Sequence, residues 1–157
     1  HPRLHGANAV YLYAELLNRT SNRELAAYCY PRLKLYYRFF TGQEAAPLPP
    51  TCTAACCVPG IISIILVRDD YPPQQEVHRR RLQASCAPVV TTAHAIRCAK
   101  ILAYTARLLG ETADADAFDA DALRLGRSLQ TAWDEESGYF GYLLHDPSGE
   151  APSRPIS

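Results

Sequence analysis

Two long helical segments, joined by only a few residues that include a glycine, constrain this chain more than any other feature. The first runs from about Thr91 to Leu109, and Gly110 supplies a stop because glycine readily adopts the left-handed conformation that ends helices. The second runs from about Ala113 to Trp133 and carries apolar residues at steps of four, three, four and three: Phe118, Ala122, Leu125, Leu129 and Ala132. Because so few residues join the two segments, we expect them to pack as an antiparallel hairpin.

The N-terminal ends of both segments carry polar residues. Thr91 or Thr92 is expected to cap the first, because a threonine hydroxyl accepts a hydrogen bond from a free N–H of the first turn. The second begins with four aspartates: Asp114, Asp116, Asp119 and Asp121. They do not fit an EF-hand, since Phe118 and Leu123 fall at ligand positions and the central glycine is missing. The aspartates therefore predict a solvated acidic helix face.

The N-terminal region predicts another pair of helices. Residues Ala7 to Arg19 carry apolar side chains at helical spacing. The sequence from Ser21 to Glu24 matches a capping box that opens a second helix toward Phe40, with Gly42 after its end. Pro31 interrupts this second helix and predicts a kink or break there.

The centre of the chain predicts irregular structure. Residues 43–68 form an irregular loop or insertion, because four prolines in it oppose regular helix. Within it, Ile61 to Val67 is a continuous apolar run that fits either a buried strand or a buried helical segment. Glu76 to Gln83 is charged and suits a short helix, and the basic run from His78 to Arg81 predicts a solvent-facing turn.

The C-terminal region changes pattern after Trp133. Residues Asp134 to Gly138 predict a turn, and Tyr139 to Leu144 predict a short strand. The final residues, Ala151 to Ser157, are expected to fray.

Composition limits the classes of function. The 157 residues suit one domain, and 16 basic side chains balance 16 acidic ones. This balance argues against nucleic-acid binding through phosphate neutralisation and against a polybasic membrane surface. The longest apolar run, Val58 to Val67, is ten residues, whereas a membrane-spanning helix needs about 20. We therefore expect no nucleic-acid partner and no membrane partner.

The cysteines and histidines predict neither a metal site nor a cofactor. Cys52, Cys56 and Cys57 are close in sequence but lack the paired spacing of a zinc ribbon, so they suit buried thiols or a loop disulfide. His94 and Cys98 lie one helical turn apart, a spacing that allows a metal pair or a nucleophile with its base. With no third partner in the pattern, we interpret them as buried packing residues.

The stretch from Asp69 to Pro72 is the most specific candidate for a catalytic or sugar-binding site. Asp69 and Asp70 are adjacent carboxylates, Tyr71 adds an aromatic ring, and two prolines follow. A carboxylic acid can protonate a glycosidic oxygen, and an aromatic ring can stack on a sugar face. Ordinary turn chemistry also accounts for this sequence, so the pattern alone leaves both interpretations open.

The order of motifs resembles the six-hairpin, (α/α)6-toroid glycosidases, most closely glycoside hydrolase family 63. In chain order the motifs look like an inter-hairpin start, a Tyr-Pro-x-Leu-Lys-x-Tyr outer helix, a Gly-x-Asp-Asp-Tyr-Pro segment, and a helix hairpin ending in Trp-Asp-x-x-x-Gly-Tyr-Phe. The stretches are Pro2–Gly6, Tyr30–Tyr37, Asp69–Pro72, and Leu108–Glu111 followed by Trp133–Phe140. The resemblance implies an all-α fold of antiparallel helical hairpins, part of an (α/α)6 toroid, with a short β-hairpin or strand near the C-terminus.

The resemblance also implies an inverting exo-acting α-glycosidase that hydrolyses an α-glucoside or α-mannoside. Asp69 would be the general acid, and Asp70 and Tyr71 would line the sugar subsite. The general base would be a glutamate from much later in such a chain. Residues Leu66 to Arg68 depart from the family, which has a small pair such as Ser-Gly before the two aspartates.

Length bears on how much of a toroid the chain contains. Twelve helices with their connections require on the order of 200 residues, so residues 1–157 would form a single partial catalytic domain. The isolated chain is then expected to be inactive, with an oligosaccharide or glycoside as substrate and the remainder of a longer chain as partner. One alternative is a non-catalytic helical-hairpin module that binds a glycan or a protein partner, and another is a helical domain whose motif matches are accidental.

Overall fold

The computed structural model is mostly helical. It describes residues 6–41, 43, 75–76, 79–81, 86–87, 89–144 and 154–156. These residues form four long helices: α1 (Gly6–Thr20), α2 (Arg23–Phe40), α3 (Val89–Leu109) and α4 (Thr112–Gln130). They also form short strands: β1 (Cys86–Ala87), β2 (Trp133–Asp134), β3 (Tyr139–Phe140), β4 (Tyr142–Leu144) and β5 (Arg154–Ile156). The predicted all-α class, its helical hairpins and the short C-terminal β-hairpin are confirmed.

The chain divides into two compact units. The first unit comprises His1–Glu44 and His94–Arg124, and the second comprises Ala45–Ala93 and Leu125–Ser157. In the first unit the two-residue links between α1 and α2 and between α3 and α4 make each pair an antiparallel hairpin.

The link between α1 and α2 differs from the predicted capping box. Asn22 is the cap, and its side-chain oxygen accepts a hydrogen bond from the Leu25 N–H at 3.0 Å. Ser21 instead has a φ of 50° and its N–H closes the last turn of α1 on the carbonyl of Leu17. A residue in the left-handed conformation ends a helix, so the cap of the next helix moves one residue along the chain.

Helix α2 continues through Pro31, so the predicted break does not occur. The proline removes one N–H donor that would otherwise bond to the carbonyl of Ala27. Both residues lie on the exposed face of the helix, where water can bond to that carbonyl instead. On the opposite face, Tyr30 and Tyr37 are buried on either side of the proline and hold the helix against the core.

Helix α3 begins earlier than predicted and ends where predicted. It starts at Val89, so Thr91 and Thr92 lie inside its first turn rather than capping it, with both side chains fully buried. At the other end Gly110 has a φ of 87°, its N–H bonds to Arg107, and the Glu111 N–H bonds to the carbonyl of Ala106 at 2.8 Å. This is the Schellman arrangement, and it confirms the glycine stop.

The core of the first unit has a row of small residues along α3. Small side chains let neighbouring helices approach closely, and larger ones from α2 and α4 fill the remaining space. The rings of Tyr37 and Phe118 pack edge to face with centroids 5.4 Å apart. The buried cluster consists of Val10, Tyr30, Tyr37, Cys98, Ala99, Leu102, Ala103, Ala106, Ala115, Phe118 and Ala122.

The second unit contains the strands. Helix α4 ends at Gln130, before the predicted Trp133, which instead pairs with Phe140 in the β2–β3 hairpin. Strand β4 lies between β1 and β5, with both neighbours antiparallel. The expectation that residues 151–157 fray is wrong for 154–156, because these residues form β5 and satisfy backbone groups of β4.

Candidate functional site

The predicted acid and sugar-binding residues lie outside the part of the chain that the structure describes. Asp69, Asp70 and Tyr71 belong to the undescribed residues, as do Ile61 to Val67 and most of residues 43–68. The side chains that the structure does describe bring chemical groups together in the first unit, between α2 and α4 and between α1 and α3, and in the second unit on the β2–β3 hairpin.

Helices α2 and α4 meet along two tyrosine–aspartate pairs. The hydroxyl of Tyr30 donates to Asp114 Oδ2 at 2.7 Å, and the hydroxyl of Tyr37 donates to Asp121 Oδ2 at 3.1 Å. Each tyrosine and each aspartate recurs after seven residues, which is about two helical turns. We call these four residues the tyrosine–aspartate seam. Since later residues of α2 pair with later residues of α4, the two helices run in the same direction.

Cationic and amide groups complete the hydrogen bonding of the seam. Lys34 donates to Asp114 and forms an ion pair with it, while the Gln43 amide donates to Asp121 Oδ2 at 2.9 Å. The Lys34 and Tyr30 hydrogen bonds hold the pKa of Asp114 below its ordinary value. Burial, followed by the hydrogen bond to Asp114, raises the pKa of Tyr30. The carboxylate therefore stays charged and the phenol stays protonated, which suits a structural contact rather than proton transfer.

The seam corrects the prediction of a solvated acidic face. Asp114 and Asp121 are only partly exposed and are bonded to α2. Asp119 forms an ion pair with Arg107, and Asp116 remains exposed. The seven-residue spacing of the tyrosines and of the aspartates was visible in the sequence. The sequence did not indicate, however, that α2 and α4 would pack against each other.

The hydrogen bonds between helices α1 and α3 join neutral groups. The hydroxyls of Tyr13 and Thr105 lie 3.0 Å apart in the core. Nearer the start of α3, the Tyr11 hydroxyl hydrogen-bonds His94 Nδ1, and the Arg97 guanidinium lies 4.3 Å from the centroid of the Tyr11 ring. Tyr11, His94 and Arg97 are called the Tyr11–His94 cluster below.

The titration of this cluster is dominated by burial. Burial raises the pKa of Tyr11 to about 12 and that of Cys98 to about 12, and burial followed by Arg97 lowers the pKa of His94. Cys98 is fully buried among core residues, so the interpretation of this cysteine as a packing residue is confirmed. Within the described residues, no group of three or more histidine, cysteine, aspartate or glutamate side chains is placed to hold a metal ion.

The β2–β3 hairpin presents an aromatic surface. Trp133 and Phe140 are directly opposite each other in the hairpin, and their rings pack edge to face with centroids 5.0 Å apart. Trp133 is 40% exposed and Phe140 is 46% exposed. Asp134 closes the turn by accepting from the N–H groups of Glu136 and Ser137. The hydrogen bond with the Ser137 side chain is the main reason why the pKa of Asp134 is lowered, and the backbone hydrogen bonds from Glu136 and Ser137 lower it further. A partly exposed tryptophan face of this kind can stack on a planar or sugar ligand.

The described part of the basic run, Arg79 to Arg81, lies at the surface. The Arg80 N–H bonds to the carbonyl of Glu76 at 2.9 Å, and the Arg79 and Arg80 side chains both pair with the Glu76 carboxylate. The hydrogen bond from Arg79 is the main reason why the pKa of Glu76 falls to about 2. The prediction of a solvent-facing charged turn is confirmed for Arg79, Arg80 and Arg81, which are all exposed.

Comparisons with known proteins add no relative. No protein-family model, curated protein or solved structure matches the chain. Among the helices that the structure describes, none is both long and apolar enough to cross a membrane.

Proposed function

We propose that this chain is a segment of an inverting, exo-acting α-glycosidase built on an (α/α)6 toroid. In this proposal Asp69 is the general acid, and Asp70 and Tyr71 line the sugar-binding subsite. The substrate is an α-glucoside or α-mannoside. The chain supplies the acid half of the site, and a glutamate from the remainder of a longer chain supplies the base.

The direction of the helices is the observation that carries this proposal. Helix α2 is antiparallel to α1, and α4 is antiparallel to α3, because each pair is joined by a two-residue link. The tyrosine–aspartate seam makes α2 parallel to α4. It follows that α1 and α3 are also parallel, which is the order of directions expected when successive hairpins repeat around a ring.

The chemistry follows from the two-carboxylate mechanism of inverting glycosidases. Asp69 in its protonated form would donate its proton to the leaving glycosidic oxygen, so its pKa should be raised near the working pH. The glutamate would take a proton from a water on the opposite face of the sugar, at a carboxyl separation of about 6.5–9.5 Å. Without this base, the segment is expected to bind sugar but not hydrolyse it.

The direct test is Asp69→Asn in the natural protein that contains this chain. We expect turnover of α-glucosides and α-mannosides to be lost, because asparagine cannot donate the proton, while the helical circular dichroism is retained. Asp116→Asn is the matched control, since Asp116 is an exposed aspartate on α4. Full turnover in the Asp69 variant, or no glycosidase activity in the natural protein, would contradict the proposal.

The aromatic β2–β3 hairpin favours a second candidate, a non-catalytic module that binds a glycan. Trp133 is the only tryptophan of the chain, so its fluorescence reports directly on ligand stacking. A saturable change with α-linked oligosaccharides, abolished by Trp133→Ala, together with no hydrolysis by the natural protein, would favour the binding module over the enzyme.

A further inference from the structure

An imbalance of charge along α3 points to a site that the glycosidase proposal does not use. From Val89 to Leu109 this helix has no aspartate or glutamate, whereas it has Arg97, Lys100 and Arg107. Arg107 is neutralised by Asp119 on α4. Among the described residues, no carboxylate pairs with Arg97 or Lys100, although both are exposed.

Arg97 is held in place although none of the described carboxylates pairs with it. Its guanidinium lies 4.3 Å from the centroid of the Tyr11 ring, an arrangement that restricts the side chain and leaves its N–H donors available. Tyr11 is itself fixed by the hydrogen bond between its hydroxyl and His94 Nδ1. A positioned guanidinium is the donor most suited to an oxyanion, because its planar N–H groups match the geometry of two oxygens.

His94 adds a second donor beside Arg97. It lies three residues before Arg97, and residues at this spacing are neighbours on a helix surface. The phenol of Tyr11 keeps its proton at neutral pH, so we assign it as the donor to Nδ1, which leaves the proton of the neutral imidazole on Nε2. His94 is half-buried, and no hydrogen-bond partner of its Nε2 is found within the described residues.

We propose that His94 and Arg97 form a binding site for a phosphate-type oxyanion. The Arg97 guanidinium contacts two anion oxygens and the His94 Nε2–H donates to a third or a shared oxygen. Lys100, one turn further along α3, adds positive charge on the same side of the helix. The ligand is either a free anion or the phosphate group of a phosphorylated sugar.

The site predicts that anion affinity depends on pH. The groups that contact or act on His94 are Tyr11 from α1 and Arg97 from α3. Tyr36 from α2 and Cys98 from α3 interact in turn with Tyr11. The phenols and the thiol stay neutral near pH 7, so Arg97 is the only one of these groups that carries charge. An anion offsets this charge and favours the imidazolium, so protonation and anion binding must strengthen each other equally.

The first experiment titrates the whole chain with sulfate and follows the imidazole signals by NMR, with His94→Gln used to assign them. Sulfate is suitable because it does not itself titrate between about pH 5 and 8, where histidine does. We expect saturable shifts of the His94 signals and a dissociation constant that weakens about tenfold between acid and neutral pH, corresponding to a rise of about one unit in the His94 pKa. The absence of a saturable shift would overturn the proposal.

Two variants separate a site from general charge attraction. Arg97→Gln should weaken sulfate binding about tenfold or more, the usual order for losing a charge-assisted hydrogen bond. Arg32→Gln is the matched control, because the Arg32 guanidinium lies at the same 4.3 Å from the ring of Tyr28 but its helix, α2, contains no histidine. An equal loss in both variants would overturn the proposal, as would an unchanged pH dependence in His94→Gln.

A further comparison identifies the source of the anion. Inorganic phosphate and glucose 6-phosphate are titrated under the same conditions, with unmodified glucose as a control. Tighter binding of the sugar phosphate supports a phosphorylated sugar, and equal binding supports a free anion. Loss of glycosidase activity in Asp69→Asn has no bearing on either result, so this site and the proposed enzyme can fail independently.

Discussion

The first unit contains two helix–helix contacts that rely on different chemistry. One contact joins α2 to α4, and the other joins α1 to α3. The first uses charged carboxylates that accept from tyrosine, lysine and glutamine, and it repeats after seven residues on both helices. The second uses the neutral pairs Tyr13–Thr105 and Tyr11–His94. A pair that repeats at the same spacing on both helices defines their direction and register, whereas two unlike neutral pairs at different spacings contribute mainly to local stability.

The difference follows from exposure. Asp114 and Asp121 lie at the edge of the core, where the charged carboxylate retains part of its hydration while accepting hydrogen bonds. Tyr13 and Thr105 are buried, and a charge placed there would require a partner to offset its desolvation. The two contacts should therefore respond differently to substitution and to pH.

The largest effect should come from removing the apolar side of the α2–α4 contact. Phe118→Ala deletes a buried ring that packs against Tyr37, and we expect the free energy of unfolding to fall by about 3–5 kcal/mol. Urea unfolding followed by circular dichroism measures it. Leu123→Ala on the exposed side of the same helix should change it by less than about 0.5 kcal/mol, and similar losses in both variants would contradict this assignment of the core.

The next effect concerns the charged pair of the seam. A double-mutant cycle with Tyr30→Phe and Asp114→Ala should give a coupling energy of about 1.5–3 kcal/mol, the range for a hydrogen bond to a charged group. The free energies of unfolding of the four proteins in urea provide this value. A coupling energy near zero would show that the seam is not a stabilising contact.

The charge of Asp114 gives that contact a defined pH window. Because the folded-state pKa of Asp114 lies below its ordinary value of 3.8, its contribution is present above that pH and is lost as the pH falls through the folded pKa. The difference in stability between the wild type and Asp114→Asn should therefore shrink in acid. A difference that stays constant down to the acid-unfolding limit would show that charge is not the cause.

A smaller effect is expected for the neutral pair between α1 and α3. The cycle of Tyr13→Phe with Thr105→Val should give about 0.5–1.5 kcal/mol, because neither partner is charged. The same unfolding measurement applies. A coupling energy larger than that of Tyr30 with Asp114 would contradict the expectation that the charged contact is the stronger of the two.

The smallest effect should be the pH dependence contributed by His94, because a half-buried imidazole keeps part of its hydration. Its folded-state pKa is lowered from 6.5, so the unfolded chain binds the proton more readily. Stability should therefore fall as the pH drops through this range, and His94→Gln should remove that part of the slope. Parallel unfolding curves in buffers free of phosphate and sulfate measure it, and identical slopes would refute the assignment.

Several local features followed from residue type alone. The helical spacing from Thr91 to Leu109, the glycine stop at Gly110 and the turn from Asp134 to Gly138 all depend on neighbouring residues, so their signals are contained in short stretches. The general acid at Asp69 stays a prediction, because it lies outside the described residues. The cap of α2 was misplaced by one residue because the positive φ of Ser21 ends α1 there, so that the Asn22 side chain reaches the free N–H group of Leu25.

The sequence by itself determined that this chain forms antiparallel helical hairpins, since helical periodicity and short links between helices act between near neighbours. Only the tertiary structure decided which hairpin faces meet, that Asp114 and Asp121 turn toward tyrosines of α2, and that residues 154–156 pair with β4. Those choices join residues more than 80 positions apart in the seam. Such contacts depend on the total burial and hydrogen bonding of the packed helices, which no short stretch of sequence specifies.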